Sequence, residues 1–431
     1  MNILLLNANS PYKASGVVAL NLFNEFIKKG HNVKLVTNNY DANYPEGILS
    51  METKFHLLWK YSKLRNKYIY LKLKYKLFQE IRYDTKYDFF EFKEKTTFYK
   101  TKSILRKAGI KPDIIIILFA KKFLNTKNIF ELYKKTHAQL YWLMYDMAPL
   151  TGGCHYAWDC KGYQHNCGSC PGLFSSDPLD ITYKNISYKR TFLNKTNVQI
   201  IAGSEWQYRQ AKASFLFKDK PVHKILLSAD PAIYRPVDKE KGKLEIGIPA
   251  HKKIIFFGSI GMTTIRKGMI FLLESLKIFK ERIKGSALED DVLLLIAGTG
   301  IDGIVNELPF EYHHLGLLDN TYGIASAYQL ADVFICPSIE DSGPTMINQS
   351  IMCGTPVVSF EMGVSPDLVI NGKTGYMARL KDSADLAQGL YNVLTATDAE
   401  YAEMSANCRE LALNACSPKV QIEAFENLFK N

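Results

Sequence analysis

Two loops of the sequence carry residues suited to binding a diphosphate. Arg266 and Lys267 lie in the run GSIGMTTIRKG after one predicted strand, and Asp341 follows another, eight residues before Gln349. Paired cations neutralise phosphate oxygens, and amide N–H groups at a helix N-terminus add to the positive field. A single basic pair of this kind is more often a solvated turn, but two matching loops favour a site. The predicted contacts of the second loop are Ser342, Gly343, Pro344, Thr345 and Met346.

A second candidate site is a cluster of cysteines. Cys154, Cys160, Cys167 and Cys170 lie within 17 of the 431 residues, which hold 8 cysteines in all. The pair Cys167 and Cys170 has the two-residue spacing of a zinc knuckle. Cytosolic thiols stay reduced, so the cluster predicts a structural zinc ion. An iron–sulfur cluster and plain buried thiols are the alternatives.

The elements that must position these residues alternate between strand and helix. The chain opens with a strand at Asn2–Asn7, a turn containing Gly16 and a helix at Val17–Lys29. Gly16 at a strand-to-helix turn would let a phosphate approach the helix N-terminus, although such a glycine is more often a simple turn residue. Repeated strand–helix units predict α/β domains with parallel sheets covered on both faces. Later strands include Lys224–Leu227 and His314–Leu317.

The length suits two domains. A polar, charged stretch near the middle of the chain is predicted to link them, and the last helix is expected to pack back on the first. The predicted bounds are 1–236, the linker 237–251, 252–417 and the final helix 418–431.

The net charge of +11 is concentrated in one stretch. Residues 51–110 contain 16 Lys and Arg against 6 Asp and Glu, interleaved with aromatic residues. This pattern suits an anionic membrane surface or an anionic acceptor, and equally a solvated helical insertion with its aromatics packed inward. Because the charge is confined to this insertion, we expect no nucleic-acid partner. No apolar run is long enough for a signal peptide or a spanning helix. A cytoplasmic protein at the inner face of the membrane is therefore expected.

The run ADVFICPSIEDSGPTMINQSIMCGTPVVSF at 331–360 resembles the retaining glycosyltransferase family 4. Aligning CGTPVV places Asp341 and Gln349 at the two acidic positions of the family motif, a register that its spacing and proline favour over Glu340 and Asn348. The resemblance implies a GT-B fold, with two Rossmann-like doubly wound domains facing across a cleft, and catalysis without a metal. It also implies that Arg266 and Lys267 stabilise the leaving diphosphate, that Asp341 contacts the transferred sugar and that Gln349, a glutamate in most of the family, contacts the ribose.

The cysteine segment 151–172 resembles a subgroup of that family that builds bacterial surface polysaccharides such as capsule, O-antigen or exopolysaccharide. Its motif reads DMAPLTGGCHY here, with Tyr145 where the subgroup often has histidine. Asp146 then becomes the acidic candidate on the acceptor side, with a turn cap as its alternative. The resemblance implies a UDP- or GDP-sugar donor and a glycan or lipid-linked acceptor. A silent nucleotide-sugar binder and a GT-B epimerase are the alternatives.

Overall fold

The computed structural model describes residues 1–13, 15–52, 83–88, 94–318, 320–343 and 345–430. It divides into two compact units. The first comprises Met1–Ala202, Tyr208–Lys224 and Phe429–Asn431, and the second comprises Gly203–Gln207 and Ile225–Leu428. Most of the basic aromatic insertion, including residues 53–82 and 89–93, lies outside the described residues.

The first unit contains a sheet of seven strands in the order β3-β2-β1-β4-β5-β6-β7. Every neighbouring pair is parallel. The central strand β4 is all isoleucine and wholly buried, as expected for a strand covered on both faces. The strands are β1 Asn2–Asn7, β2 Asn32–Thr37, β3 Ile48–Ser50, β4 Ile114–Ile117, β5 Gln139–Leu143, β6 Gln199–Ala202 and β7 Val222–Lys224.

Helices connect these strands. The helix Thr126–Thr136 begins at a capping box in which Asn125 and Asn128 exchange side-chain and backbone hydrogen bonds. Phe429 is assigned to this unit, where its ring lies 5.7 Å from that of Phe26. The described α-helices that precede β7 are Ser15–Lys28, Thr101–Ala108, Thr126–Thr136, Ile181–Leu193 and Glu205–Ala213.

The second unit contains a six-stranded sheet in the order β10-β9-β8-β11-β12-β13, again parallel throughout. Its strands are β8 Lys253–Ser259, β9 Val292–Gly298, β10 Glu311–His314, β11 Val333–Cys336, β12 Val357–Phe360 and β13 Gly375–Ala378. Its helices are Lys239–Glu245, Met269–Ile283, Thr321–Leu330, Thr345–Met352, Ser365–Leu368, Ser383–Leu394, Asp398–Cys416 and Pro418–Phe429. Two doubly wound parallel sheets confirm the predicted fold class.

Two local predictions differ from the structure. The strand predicted at His314–Leu317 lies at Glu311–His314, where its four residues pair with Leu293–Ile296 of β9. The strand predicted at Lys224–Leu227 lies at Val222–Lys224; the apolar run after Lys224 instead packs in the second unit's core through Leu226.

The stretch predicted as a linker contains the helix Lys239–Glu245. Lys243 of this helix is buried, and its Nζ donates to the Asp332 carboxylate at 2.9 Å. The Asp332 carboxylate also accepts the Ile254 amide at the start of β8, at 2.8 Å. This polar stretch thus packs within the second unit, because its buried cation has a buried carboxylate to pair with.

Candidate functional site

In the second unit the two candidate loops follow neighbouring strands. β8 ends at Ser259 and β11 ends at Cys336, and these strands pair directly in parallel. Since the carboxyl ends of parallel strands meet at one edge of the sheet, both loops emerge side by side. Open α/β sheets bind ligands at this edge.

The two loops also touch through their backbones. The amide of Ile339 donates to the Arg266 carbonyl at 2.9 Å. Gly268 ends the turn Ile265–Lys267 with φ of +68°, and a Cβ there would lie only 1.8 Å from the Pro337 carbonyl oxygen. Glycine is required at this position both for its backbone conformation and for the close approach.

This contact brings Arg266, Lys267 and Asp341 together across more than 70 residues of sequence. Arg266 Nη1 lies 2.9 Å and Lys267 Nζ 2.7 Å from the same oxygen, Asp341 Oδ2. The other oxygen, Asp341 Oδ1, accepts the Ser342 amide at 2.8 Å. Burial by itself would raise the pKa of Asp341, but the charges of Lys267 and Arg266 outweigh it and hold that pKa below its usual value. Asp341 is therefore an ionised carboxylate shared by two cations.

The helix Thr345–Met352 begins directly after this cluster. Ser342 is buried, Gly343 has φ of +124°, and Gln349 is half-buried on the second turn. Thr345 and Met346 are half-buried at the first turn, where their amides belong to the helix N-terminus. Pro344 lies outside the described residues.

The competing register placed Glu340 and Asn348 at the two motif positions. The Asn348 side chain is buried, and its amide donates to the Leu227 carbonyl at 2.7 Å, so it serves packing. Arg266 and Lys267 pair with Asp341, which lies four residues before the helix.

The first unit holds a separate polar pocket at the carboxyl ends of β4 and β5. Asp146 and His155 are both buried, and Asp146 Oδ2 lies 2.6 Å from His155 Nδ1. The other oxygen, Oδ1, accepts the Ala148 amide at 2.7 Å, which is the turn cap that the sequence left as an alternative. The pocket has a volume of about 30 Å³ and is also lined by Glu94, Lys189, Asn125 and Trp142.

His155 is a candidate residue that sequence reasoning did not assign to the acceptor side. Its ring stacks on Phe119 with centroids 6.1 Å apart, and Asp146 fixes its orientation. A short bond from a carboxylate to Nδ1 selects the tautomer that carries its proton there when the imidazole is neutral. The signal in the sequence was the motif DMAPLTGGCHY, which contains both Asp146 and His155.

Buried ionic groups hold this irregular segment in place. Lys189 Nζ donates to the carbonyls of Ala148 and Thr151 at 2.7 and 2.9 Å, and lies 3.9 Å from the Glu94 carboxylate. Glu94 accepts the amide and the hydroxyl of Thr126, both at 2.9 Å. The loop that carries Asp146 is thus tied to two helices by a charge network.

Gly16 has a local structural explanation. A Cβ at this position would lie 1.7 Å from the Ser10 carbonyl oxygen, and the Gly16 amide donates to the Lys13 carbonyl. The close approach of the Ser10 carbonyl therefore requires glycine in this first turn of the helix Ser15–Lys28.

The four predicted zinc ligands line one pocket of the first unit. The Gly162 amide donates to Cys160 Sγ at 3.4 Å. Burial, together with the nearby Cys160 and Cys170, raises the pKa of the Cys167 thiol to about 12. Among the residues that the structure describes, no group of three or more His, Cys, Asp or Glu side chains is arranged to hold a metal ion. The thiols share a pocket but do not converge on one point.

Comparison with solved structures shows the GT-B fold. Sucrose-phosphate synthase from Thermosynechococcus elongatus superposes with a TM-score of 0.66 at 15% identity, covering 100% of this chain and 98% of that chain. HepE from Anabaena, solved in complex with UDP-glucose, has a TM-score of 0.62 at 15% identity, covering 100% of each chain. WaaG, a glycosyltransferase involved in lipopolysaccharide biosynthesis, has a TM-score of 0.62 at 11% identity over 98% of both chains.

Sequence comparison finds relatives for part of the second unit. Residues 251–396 match the model of the family described as glycosyl transferases group 1. Phosphatidyl-myo-inositol mannosyltransferase of Mycobacterium leprae is 32% identical over 153 residues, 33% of this chain and 37% of that protein. D-inositol 3-phosphate glycosyltransferase of an Arthrobacter strain is 26% identical over 178 residues, 38% of this chain and 40% of that protein. The matched segment thus spans about two fifths of these relatives. The family resemblance inferred from Asp341, Gln349 and CGTPVV is confirmed.

Proposed function

We propose that this protein is a retaining glycosyltransferase that moves a sugar from a nucleotide-sugar donor to a glycan or lipid-linked oligosaccharide acceptor in bacterial surface polysaccharide synthesis. The observation that carries the proposal is the cluster of Arg266, Lys267 and Asp341, at the carboxyl edge of a sheet and inside the matched domain. WaaG, a structural neighbour, takes part in lipopolysaccharide biosynthesis, which is consistent with the acceptor class.

In this proposal two cations and a helix N-terminus stabilise the diphosphate as it leaves. Arg266 and Lys267 supply fixed positive charge, and the amides before Thr345–Met352 add hydrogen bonds. This charge takes the role that a divalent cation plays in other transferases, so catalysis is proposed to be independent of a metal. The departing β-phosphate would accept the proton of the attacking hydroxyl on the same face, which retains the anomeric configuration.

On the acceptor side, we propose that Asp146 acts together with His155. With Nδ1 turned to Asp146, the other ring nitrogen of His155 is the acceptor when the imidazole is neutral. Such a nitrogen suits a sugar hydroxyl, and the pocket of about 30 Å³ has room for a single hydroxyl-bearing group.

The donor is proposed to be a UDP- or GDP-sugar. HepE was solved with UDP-glucose, which favours UDP as the first nucleotide to try. Gln349 keeps a hydrogen-bond acceptor where the family usually has a carboxylate, so we expect its contact with the ribose to be weaker rather than absent.

The test is a panel of UDP-, GDP- and ADP-sugars, read out by thermal shift and by slow donor hydrolysis. One donor should stabilise the wild type and be hydrolysed, and Arg266→Ala/Lys267→Ala should abolish both effects. The matched control is Lys277→Ala/Lys284→Ala, which removes two exposed cations from the same unit. If no nucleotide sugar shifts the wild type at millimolar concentration, the proposed function is wrong.

A silent nucleotide-sugar binder is the second candidate, favoured by Gln349 in place of the family's glutamate. Binding without any hydrolysis or transfer, and no gain of turnover in Gln349→Glu, would establish it. Gain of turnover in that variant would instead restore the enzyme proposal.

We propose a structural zinc ion at Cys154, Cys160, Cys167 and Cys170. The donor set of four thiols in one pocket fits zinc, and the amide directed at Cys160 Sγ would stabilise a thiolate. Binding would require the side chains to turn toward one another. Elemental analysis of the purified protein should find one zinc per chain, lost in Cys167→Ser/Cys170→Ser but kept in Cys336→Ser. If the wild type contains no zinc and its melting temperature is unchanged, the four cysteines are plain buried thiols.

Contact with an anionic membrane through residues 51–110 also remains a proposal. None of the helices in the described residues is both long and apolar enough to span a membrane. Neutralising Lys72, Lys74 and Lys76 should reduce co-sedimentation with vesicles that contain anionic lipid. Unchanged sedimentation would count against this contact.

A further inference from the structure

Asp341 already holds both cations that the proposed function assigns to the diphosphate. Arg266 and Lys267 converge on a single oxygen, Asp341 Oδ2, at 2.9 and 2.7 Å. Oδ1 is engaged as well, by the Ser342 amide. The side chain of Asp341 is only 13% exposed, so little water is present to replace these partners.

An incoming diphosphate must therefore compete with a carboxylate. Asp341 already neutralises part of the positive charge that Arg266 and Lys267 would offer to a phosphate. A phosphate that draws Arg266 and Lys267 away leaves Asp341 charged, poorly hydrated and without its cations, which is an unfavourable state. The diphosphate group by itself offers that carboxylate nothing in exchange.

A nucleotide sugar differs from a nucleoside diphosphate in this respect. It carries sugar hydroxyls, and a hydroxyl donates a hydrogen bond that an ionised carboxylate accepts strongly. When the sugar is present, Asp341 can exchange its two cations for hydroxyl donors while the diphosphate takes the cations. Binding of the sugar and of the diphosphate are then coupled through one side chain.

We propose that Asp341 is a specificity-determining residue that lets the site favour the intact donor over the nucleoside diphosphate product and over free pyrophosphate. This inference rests on the proposed function and concerns the same site. It has a kinetic consequence. Once the sugar has been transferred, Asp341 loses its hydroxyl partners, recovers Arg266 and Lys267, and expels the product. A site of two unopposed cations would retain that product and be inhibited by it.

The experiment compares the wild type with Asp341→Asn, which keeps the size of the side chain and removes its charge. Affinities for inorganic pyrophosphate, UDP and UDP-glucose are measured by calorimetry, with GDP and GDP-mannose run beside them. Asp341→Asn should bind pyrophosphate and UDP at least about tenfold more tightly, equivalent to about 1.4 kcal/mol. UDP-glucose affinity should rise less or fall, and the inhibition constant of UDP should drop in parallel with its dissociation constant.

The matched control is Asp385→Asn in the same unit. Asp385 is 14% exposed and pairs with Arg379 at 3.2 Å, so this variant removes an equally buried carboxylate from an ion pair. It should leave all of these affinities unchanged. A second variant, Asp341→Ser, removes the charge with a different side chain and guards against a defect particular to asparagine.

Two outcomes overturn the inference in different ways. If Asp341→Asn and Asp341→Ser, folded as judged by thermal unfolding, bind pyrophosphate, UDP and donor more weakly by one common factor, Asp341 only holds the cations in position. The proposed function then stands without it. If the wild type binds no nucleotide sugar at all, the proposed function fails and the inference fails with it.

Discussion

The polar clusters of the two units are built in different ways. In the second unit, Asp341 meets Arg266 and Lys267 across 75 and 74 residues of sequence, because the loops follow adjacent strands of one sheet. In the first unit, Asp146 meets His155 only nine residues away, inside one irregular segment. The first arrangement depends on strand order and on loop contact, whereas the second depends on what holds a single loop.

The difference identifies which supports should matter. The second unit's cluster needs the close approach at Gly268. The first unit's pair needs the buried network around Lys189, which ties the loop to the helix Ile181–Leu193. The following predictions test these two supports and then the polar groups themselves.

The largest effect is expected for Gly268→Ala. The new Cβ would lie 1.8 Å from the Pro337 carbonyl oxygen, at a φ of +68° that alanine disfavours, so the two loops must separate. We expect a loss of at least about 3 kcal/mol in the free energy of unfolding, together with loss of donor binding. Chemical denaturation and donor thermal shifts measure the two effects.

The control for this prediction is Gly285→Ala. Gly285 also has positive φ, +76°, but a Cβ there meets nothing within 4 Å. This variant should cost only about 1 kcal/mol and keep donor binding. Equal effects of the two variants would mean that loop contact contributes nothing beyond backbone strain.

Lys189→Met should have the next largest effect on the free energy of unfolding. Removing the ammonium leaves the carbonyls of Ala148 and Thr151, and the Glu94 carboxylate, without a buried cation. We expect a loss of about 2–3 kcal/mol, measured by chemical denaturation. Lys184→Met on the exposed face of the same helix should be nearly neutral. A neutral Lys189→Met would show that the loop needs no such support.

His155→Asn tests the polar pair itself. If His155 binds an acceptor hydroxyl, kcat/KM for the acceptor should fall by about tenfold to a hundredfold, while donor affinity is unchanged. Asp146→Asn should cause a similar but smaller loss, because it only orients the ring. His165→Asn, an exposed histidine of the same segment, is the control and should keep full activity. Weakened donor binding in His155→Asn would contradict this separation of roles.

The smallest effect concerns pH. The pKa of Asp341 is lowered in the folded protein, so its contribution to stability is present above the unfolded value and is lost as the pH falls through the folded one. The stability of the wild type relative to Asp341→Asn should therefore be constant from pH 8 to about 5 and shrink below about 4. Thermal unfolding of both proteins across this pH range measures the difference in stability. An advantage that is unchanged at pH 3 would show that the charge of Asp341 does not contribute.

Much of the fold follows from local sequence. The runs Ile3–Leu6 and Val333–Cys336 are apolar and buried on both faces, and the helix Thr345–Met352 starts where the Gly/Pro loop ends. Continuous apolar strands alternating with helices are sufficient to predict parallel sheets. The strand at β10 was misplaced because its residues are half-buried or exposed at a sheet edge, where the pattern is weak.

The sequence by itself determined the class of fold, the family resemblance of residues 251–396 and the candidate residues for a diphosphate site, because composition, periodicity and motif spacing are local properties. Only the tertiary structure decided that Asp341 carries both cations on one oxygen, and that His155 pairs with Asp146. Those contacts depend on strand order and on the path of irregular loops. Both are set by packing between residues distant in sequence, which no local pattern records.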